Sequence, residues 1–389
     1  MSKLKFKILK KIWNARVGEI NLNWVRLTTP IFMPVGTKAT IKGLILDMLQ
    51  DPKYIWDLPI INLILANTFH LYLRPWDQLI KDAWWLHKFE NWNWLILTDS
   101  WWFQIFSLWL NQNSRGDYQA TDEEKEFSHE VKIKLTEEWV KFNSPYDWSK
   151  HFFTPESVVD IQCNLWSDIM MVLDVCSPTD CDKATIEKQM QMTHRWAKRA
   201  FDHLEKKYDK VRWVLFPIVQ WWIHTDLREQ SIDFLSQYAR DWIAVWWVSV
   251  GESKELIREI VEFTWPRLPD GKPRYLMWVG TPEDISHAIE NWFDMFDCVL
   301  ATRLGRHGMA FSDDGNLTIK NAKYKSDFSP LKDNCPCFVC RNYTKAYLHH
   351  LIKEKEMLGG ILLSFHNIVY LNSILEKWKK EKLWISWDT

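Results

Sequence analysis

The sequence predicts an α/β protein, a (β/α)8 TIM barrel with a small cysteine-containing subdomain inserted near the C-terminus. Short apolar, β-rich runs alternate with amphipathic helical stretches between about residues 30 and 300. Polar residues follow the ends of several different runs, where a barrel assembles its active site. No glycine-rich phosphate loop follows the first run, which removes the main support for a dinucleotide-binding fold. Alternation alone also allows a doubly wound sheet, and the strand-end residues favour the barrel.

The individual elements follow from local pattern. Thr281 precedes Pro282 and two acidic residues, which is the usual start of a helix: a capping side chain, a proline in the first turn and negative charge at the N-terminus. The expected strands are 60–66, 95–98, 169–173, 214–219, 243–250 and 275–279. The expected helices are 184–206, 253–264, 282–291 and a last one around 368–382.

Composition limits the class of protein. A chain of 389 residues that is 47% hydrophobic can bury a large core. The chain has 49 Lys and Arg and 50 Asp and Glu, so it carries no overall excess of positive charge. Any nucleic-acid contact must therefore come from a local basic patch. Seven cysteines, three of them crowded together, argue against a secreted disulfide framework. With no signal peptide and no apolar stretch near the ~18 residues that a membrane helix needs, we expect a cytoplasmic protein without a membrane contact.

The tryptophan content is anomalous. Average usage would give roughly 27 glycines, whereas the chain has 12 Gly and 27 Trp. Several tryptophans are paired at expected turns, where a residue that tolerates positive φ belongs. One hypothesis is that a codon usually read as stop or Trp means Gly in this gene; the alternative is a Trp-rich protein with stacked aromatic pairs. The pairs are Trp84-Trp85, Trp101-Trp102, Trp221-Trp222 and Trp246-Trp247.

A metal site is predicted by Cys335-x-Cys337-x2-Cys340, which is followed by three histidines. Three thiolates and one imidazole form a closed tetrahedral site of the kind that structural zinc prefers, so we expect one Zn²⁺ per chain that braces the fold. The spacing does not choose among His349, His350 and His366. The expected division is a catalytic barrel over 1–305, a zinc-binding subdomain over 306–366 and a C-terminal helix over 367–389 that packs back on the barrel.

Carboxylates at strand ends form a second group: Asp99, Asp174 and Asp297. A carboxylate pair across a barrel mouth can attack the anomeric carbon of a sugar and move protons, one residue acting as nucleophile and the other as general acid/base. For any one of them, capping a helix or bonding a loop is the alternative role.

The segment Thr98-Asp99-Ser100-Trp101-Trp102-Phe103-Gln104 resembles the TDSGGFQ motif of tRNA-guanine transglycosylases, with Trp for both glycines. Segments 34–37, 67–71 and 321–324 and Arg303 resemble further blocks of that family in the family's order, so the resemblance covers nearly the whole chain. It implies a pentosyltransferase that exchanges the wobble guanine of G-U-N anticodon tRNAs for a 7-deazaguanine base. Val250 and Cys176 are similar to the bacterial form, which takes 7-aminomethyl-7-deazaguanine.

The resemblance also implies residue roles. Asp297 would attack the ribose and form a covalent intermediate, and Asp99 would act as general acid/base. The base would be bound by Ser100, Asp174, Gln220 and the backbone of Trp247 and Val248, between the faces of Phe103 and Met277. The zinc ligands would be Cys335, Cys337, Cys340 and His366.

The tryptophans are the main departure from the family, because indoles at glycine positions would block the base pocket. The positions that look like family glycines are 85, 94, 101, 102, 166, 221, 222, 246, 247, 278 and 292.

For tRNA we expect contacts from a basic set around the zinc segment, and a flipped wobble base. The set is Arg303, Arg306, Lys320, Lys323 and Lys325, with Arg341 and Lys345 beside it. The resemblance further implies a homodimer. The alternatives are a non-catalytic tRNA-binding partner subunit of the same family, an unrelated barrel glycosidase, and a chain that is inactive as written because its pocket is filled.

Overall fold

The computed structural model describes residues 4–13, 15–100, 132–175, 181–208, 213–220, 224–240, 242–246 and 254–383. Over these residues the fold is mixed α/β. The strands are β1 (Lys5–Ile12), β2 (Ala15–Leu22), β3 (Val25–Thr29), β4 (Ile31–Met33), β5 (Leu63–Asn67), β6 (Leu95–Asp99), β7 (Ile133–Leu135), β8 (Val140–Asn143), β9 (Lys150–Phe153), β10 (Ile169–Met171), β11 (Val214–Phe216), β12 (Ile218–Val219), β13 (Ile243–Val245), β14 (Arg274–Leu276), β15 (Met295–Asp297), β16 (Met309–Ala310) and β17 (Leu317–Thr318). The helices are α1 (Asp47–Gln50), α2 (Thr68–Leu73), α3 (Asp77–Asp82), α4 (Trp85–Phe89), α5 (Pro155–Leu165), α6 (Lys183–Lys207), α7 (Thr225–Ser236), α8 (Lys254–Thr264), α9 (Pro282–Ile289), α10 (Leu300–Arg306), α11 (Phe338–Asn342), α12 (Lys345–Lys353) and α13 (Met357–Trp378).

Two parallel sheets form the centre of the molecule. One has the strand order β11-β10-β6-β5 and the other β12-β13-β14-β15-β4. Nearly all residues of these strands are buried, as expected for parallel strands covered on both faces. Each strand is short, but the apolar side chains of the strands and of most surrounding helices form one large core. Ile186, Met190 and Leu227 form a small second cluster between α6 and α7.

The edges of the two sheets meet at two places. Val35, just beyond β4, forms a parallel bridge with Leu65 of β5. There the amide of Gly36 donates to the carbonyl of Leu65 at 2.6 Å, and the amide of Leu65 donates to the carbonyl of Pro34 at 3.0 Å. At the other edge, β11 and β12 follow each other directly in the chain, separated by Pro217, which has no N–H to donate to a ladder.

The helix predictions agree well with the structure where capping signals are clear. Predicted helices 184–206 and 253–264 correspond to α6 and α8, and α9 begins at Pro282 as predicted. The Thr281 hydroxyl accepts from the amide of Asp284 at 3.2 Å, which satisfies one of the free N–H groups of the first turn.

Three antiparallel sheets among the described residues add to the predicted alternation, one of them the two-stranded pair of β16 and β17. Strands β1, β2 and β3 form an N-terminal sheet, and β7, β8 and β9 form a second one before α5. Arg16 of β2 makes a fully buried pair with Asp294, the residue before β15, with nitrogen to oxygen distances of 3.1 and 2.5 Å. This pair joins the N-terminal sheet to the start of β15.

The last helix differs from the prediction. It begins at Met357 and not near residue 368, so His366 lies in its middle. Gly359 and Gly360 are poor helix formers that hide this start in the sequence. A side chain at Gly359 would meet Leu351 and Ile352 at about 3 Å, so glycine allows close packing there.

This helix contains an apolar stretch that the sequence pattern did not predict. The stretch Met357–Glu381 is long and apolar enough to span a membrane by length and composition alone. Because 67% of its apolar window is buried inside the protein, it has the features of a core helix.

Backbone geometry bears directly on the tryptophans. In the described part of the chain eight of them have positive φ, between 37° and 99°. This region costs an L-residue with a side chain roughly 1–2 kcal/mol and is open to glycine. Some of these indoles do stack: the ring centroids of Trp85 and Trp166 are 4.1 Å apart. Backbone conformation nevertheless favours the glycine hypothesis. The eight are Trp13, Trp76, Trp84, Trp85, Trp148, Trp166, Trp278 and Trp292.

We predict that Trp84→Gly raises the free energy of unfolding by about 1 kcal/mol. Trp84 has a φ of 59°, and glycine adopts this backbone conformation without the strain that a side chain causes. Trp84 is 71% exposed, so little apolar burial is lost. The matched control is Trp24→Gly, which removes a 70% exposed indole from a residue without positive φ and should leave stability unchanged or lower it. Urea unfolding of both variants measures this; an equal loss of stability in both would contradict the prediction.

Candidate active site and metal centre

The carboxyl ends of the parallel strands bring the predicted acidic residues together. Asp99 ends β6 and pairs in register with Asn67 of β5, while Asp297 ends β15 opposite Met33 of β4. Asp174 follows β10 by three residues. The charges of Asp297 and Asp174 both act on Asp99, so the three carboxyl groups share one site. This arrangement follows from parallel pairing, which places strand C-termini on one edge.

Asp99 is held by the neighbouring strand. The side-chain amide of Asn67 donates to Oδ2 of Asp99 at 2.8 Å, and the backbone amide of Thr68 donates to Oδ1 at 3.4 Å. Loss of hydration raises the pKa of Asp99 to about 8. The hydrogen bond from Asn67 opposes this rise in pKa, and the charges of Asp297 and Asp174 add to it. Asp99 is therefore predominantly protonated at neutral pH.

Asp297 is only 4% exposed. Its Oδ1 accepts from the hydroxyl of Tyr275 at 2.6 Å and from the backbone amide of Trp278 at 2.9 Å. Burial raises the pKa of Asp297 to about 6, and the two donors restrain that rise because they stabilise the charged form. At neutral pH Asp297 is thus mainly ionised, whereas Asp99 retains its proton.

Asp174 and Gln220 present unsatisfied polar atoms. Ser100 donates to Oδ1 of Asp174 at 3.1 Å, but Oδ2 of Asp174 and Nε2 of Gln220 are buried without a partner among the described residues. Burial raises the pKa of Asp174 to about 7. Orphaned buried polar atoms are rare in folded proteins, so this acceptor and this donor are each available to bond a polar ligand.

The other predicted base-binding residues divide into two groups. Met277 is buried directly after β14, next to the site. Phe103, Trp247 and Val248 lie outside the described residues, as do Cys176 and Val250. Two of the tryptophans at family-glycine positions lie beside the strand ends. The ring centroids of these two, Trp246 and Trp278, are 5.6 Å apart.

The predicted tRNA-contacting residues lie on and after α10. Lys320, Lys323 and Lys325 are exposed, and Arg303 and Arg306 are partly buried. Arg306 and Lys320 line one surface depression together with Lys355. The two flanking basic residues are engaged elsewhere: Lys345 lies 3.4 Å from Asp327, and Arg341 lies 3.7 Å from Asp57.

The cysteine motif forms a compact cluster with one histidine. The sulfur atoms of Cys335, Cys337 and Cys340 and a nitrogen of His366 lie within 4.8 Å of one another. Nδ1 of His366 is 3.9, 3.4 and 3.3 Å from the three sulfur atoms in that order. Its Nε2 is 3.0 Å from the carbonyl of Phe311, so Nε2 carries the proton and the Nδ1 lone pair faces the thiols. This donor set fits a tetrahedral metal ion.

The histidine choice is thereby settled by geometry. His349 is buried with Nδ1 at 2.8 Å from the carbonyl of Ile319, and His350 is exposed on α12. The cysteine loop also packs against the segment between α1 and β5, because Ile55 pairs with Cys337 and the amide of Trp56 donates to the carbonyl of Pro336.

Sequence reasoning missed Tyr275 and gave Asn67 no partner. Tyr275 lies inside a strand whose pattern is that of ordinary core, whereas Asn67 is a polar residue at the end of β5. For both, only the register of the strands shows which carboxylate the side chain reaches. One weak indication of Tyr275 is present in the sequence. It precedes Met277, a predicted base-binding residue, by two positions, and residues two apart in an extended segment lie on the same face.

The chain matches a protein family over most of its length. The family model described as Queuine tRNA-ribosyltransferase matches residues 12–381. The chain belongs to the queuine tRNA-ribosyltransferase family. It is 42% identical to the queuine tRNA-ribosyltransferase of Halothermothrix orenii over 376 residues, which is 96% of this chain and 92% of the relative. Identity is 42% over 379 residues with that of Caldanaerobacter subterraneus, at 97% and 93% coverage, and 40% over 378 residues with that of Vibrio vulnificus, at 97% and 92%.

This match confirms the family and the enzyme class that the TDS motif predicts, tRNA-guanine transglycosylase, a pentosyltransferase. An unrelated barrel glycosidase is excluded as an interpretation. The match also fits the mixed α/β fold and the Cys3His cluster.

We predict that the chain binds one tetrahedral metal ion through this cluster. Titration with Co²⁺ should give thiolate-to-metal absorption that saturates at one equivalent and is displaced by Zn²⁺. Cys337→Ala should abolish it and lower the thermal midpoint, because the site then lacks a ligand and the fold a cross-link. The control is Cys181→Ala, outside the cluster, which should bind normally. Unchanged cobalt spectra in Cys337→Ala would contradict the assignment.

Proposed function

We propose that this chain exchanges the wobble guanine of G-U-N anticodon tRNAs for 7-aminomethyl-7-deazaguanine by double displacement. The observation that carries the proposal is the pair of strand-end carboxyl groups with separated pKa values, about 6 for Asp297 and about 8 for Asp99. Such a separation assigns a nucleophile and an acid at one pH.

In the first displacement the ionised carboxylate of Asp297 attacks C1′ of the wobble ribose. The bond from C1′ to guanine breaks, its electron pair leaves with the base, and Asp99 in its acid form supplies the proton that neutralises guanine. In the second displacement Asp99, now a carboxylate, removes a proton from the incoming base. That base attacks C1′ and the electron pair of the ester bond returns to Asp297.

Base selection in this proposal rests on hydrogen bonding. The orphaned Oδ2 of Asp174 accepts from N–H groups of the base, and Nε2 of Gln220 donates to its carbonyl. Met277 covers one face of the ring. Ser100 fixes Asp174, and Phe103, Trp247 and Val248 take the roles that the family resemblance implies.

For tRNA we propose that Arg303, Arg306, Lys320, Lys323 and Lys325 contact phosphates while the wobble base is flipped into the site. The exposure of the three lysines supports this. The assembly is proposed to be a homodimer in the cytoplasm, where reducing conditions keep the cysteines available to Zn²⁺.

The architecture proposed for this function is a closed (β/α)8 barrel over 1–305, a zinc-binding subdomain over 306–366 and a terminal segment over 367–389. Closure is supported by the bridge between Val35 and Leu65 and by the direct succession of β11 and β12. A structural Zn²⁺ would take all four ligands from Cys335, Cys337, Cys340 and His366, which would leave it no open position for the reaction.

The alternative is a non-catalytic tRNA-binding partner subunit of the same family. Such a subunit has no need for an acidic pair, whereas here Asp99 and Asp297 both keep their hydrogen-bond donors. The pairing of each carboxylate with its own donor favours the enzyme.

The test is incorporation of radiolabelled guanine into unmodified tRNA-Tyr by two forms of the chain. One has the printed sequence; the other, called the glycine-restored chain, has Gly at the eleven family-glycine positions named above. We expect exchange only by the glycine-restored chain, and its loss in Asp297→Ala. A folded, metal-loaded glycine-restored chain that exchanges no guanine would favour the non-catalytic partner.

We further predict a bell-shaped dependence of kcat/KM on pH, with an acid limb between about pH 6 and pH 7, where Asp297 and Asp174 ionise, and an alkaline limb near pH 8, where Asp99 ionises. Below the pKa of Asp297 its carboxylate is protonated and cannot attack; above the pKa of Asp99 the acid that protonates guanine is lost. Asp99→Asn should lower the rate by about 10²–10⁴-fold and remove the alkaline limb. An alkaline limb that persists in Asp99→Asn would show that another group titrates there.

A further inference from the structure

Tyr275 is a buried polar group that the mechanism above does not use. It lies in the middle of β14 with no exposed surface, and its hydroxyl donates to Oδ1 of Asp297 at 2.6 Å. In the sheet Tyr275 is in register with Met295, and Asp297 follows Met295 on the same face of β15. The contact is therefore made between the two central strands that carry the residues, and not through a loop.

The two donors to Asp297 reach the same oxygen. The backbone amide of residue 278 donates to Oδ1 at 2.9 Å, beside the Tyr275 hydroxyl, and no donor from the described residues reaches Oδ2. Hydrogen bonds draw negative charge toward the oxygen that accepts them. Oδ1 is therefore stabilised and held in place, while Oδ2 keeps its lone pairs available.

The phenol remains a donor throughout the working pH range. Burial and the charge of Asp297 raise the pKa of Tyr275 well above its ordinary value. The charges of two other titratable groups, Asp99 on β6 and Cys298 after β15, also raise the pKa of Tyr275. The charge of Arg303 on α10 in turn lowers the pKa of Cys298. Asp174 after β10 acts on Asp99. None of these donates a hydrogen bond to Asp297 among the described contacts.

We propose that Tyr275 is a positioning residue that anchors Oδ1 of Asp297, so that Oδ2 is the oxygen that bonds to C1′. This inference rests on the proposed function. As the bond between Oδ2 and C1′ forms, the bond to guanine breaks, its electron pair leaves with guanine, and Asp99 supplies the proton. In the second displacement the bond between Oδ2 and C1′ breaks, its electron pair returns to the carboxylate, and Tyr275 again stabilises that charge through Oδ1.

The test is Tyr275→Phe in the glycine-restored chain, which removes one hydroxyl and keeps the ring. We expect kcat for guanine exchange to fall about 10- to 100-fold, because a hydrogen bond to a charged group is lost. The KM for tRNA should stay within about twofold, since Tyr275 has no exposed surface with which to contact tRNA. The acid limb of the pH profile should move up by about one unit, because the charged form of Asp297 loses a donor.

The matched control is Tyr208→Phe. Its hydroxyl donates to Oδ1 of Asp160 at 2.8 Å, so the same kind of bond is removed far along the chain from the site. We expect this variant to keep the kcat and the acid limb of the parent. A purely structural role of Tyr275 would instead lower thermal stability and leave the acid limb where it is.

If Tyr275→Phe does not fold, 3-fluorotyrosine at position 275 provides the second test. Its more acidic phenol donates more strongly and should move the acid limb down. An unchanged acid limb together with an unchanged kcat, in either variant, overturns the inference. Where the parent exchanges guanine and Asp297→Ala does not, an unchanged acid limb and kcat overturn only the role of Tyr275, and the proposed function stands. A parent that exchanges no guanine overturns the proposed function and this inference together.

Discussion

Parallel pairing of short, buried strands is the constraint on which the site depends. It aligns the ends of β5, β6, β10 and β15, so polar residues that the core would exclude can gather at one edge. There they lose water, and loss of hydration is the first cause of the raised pKa of Asp99, Asp174 and Asp297. Different hydrogen bonds, and at Asp99 the charges of the other two carboxyl groups, then separate the three pKa values. This separation is the basis of the proposed division between nucleophile and acid.

The metal cluster and the tryptophans affect the backbone in different ways: a bound metal ion would cross-link it, and tryptophan at positive φ strains it. His366 lies in the middle of the long buried helix α13, so a metal ion bound there would tie the cysteine loop to the core. The tryptophans at positive φ lie in the turns and helix ends between the core elements, as Trp84 and Trp166 do. Glycine at these positions would adopt the same backbone without strain, and at position 278 it would also remove the indole whose ring centroid lies 5.6 Å from that of Trp246.

Much of the fold and part of the site could be predicted from sequence. The helix start at Thr281 and the acidic residues at strand ends follow from local rules that tertiary contacts do not override. Spacing did not choose among the histidines; the family resemblance implied His366, and the orientation of its ring toward the thiols agrees with that choice. The start of α13 was hidden by Gly359 and Gly360, whose close packing compensates for low helix propensity. Tyr275 could not be identified because its role comes from cross-strand register with β15, a long-range property of the chain.

The central claim is that Asp297 becomes covalently bound to the ribose of tRNA. The most direct measurement is to mix the glycine-restored chain with unmodified tRNA-Tyr, isolate the complex that survives denaturing electrophoresis, and map the nucleotide-bearing peptide by mass spectrometry. The account predicts an adduct on Asp297 that disappears when 7-aminomethyl-7-deazaguanine is added. An adduct on Asp99, or guanine exchange without any covalent complex, would contradict it.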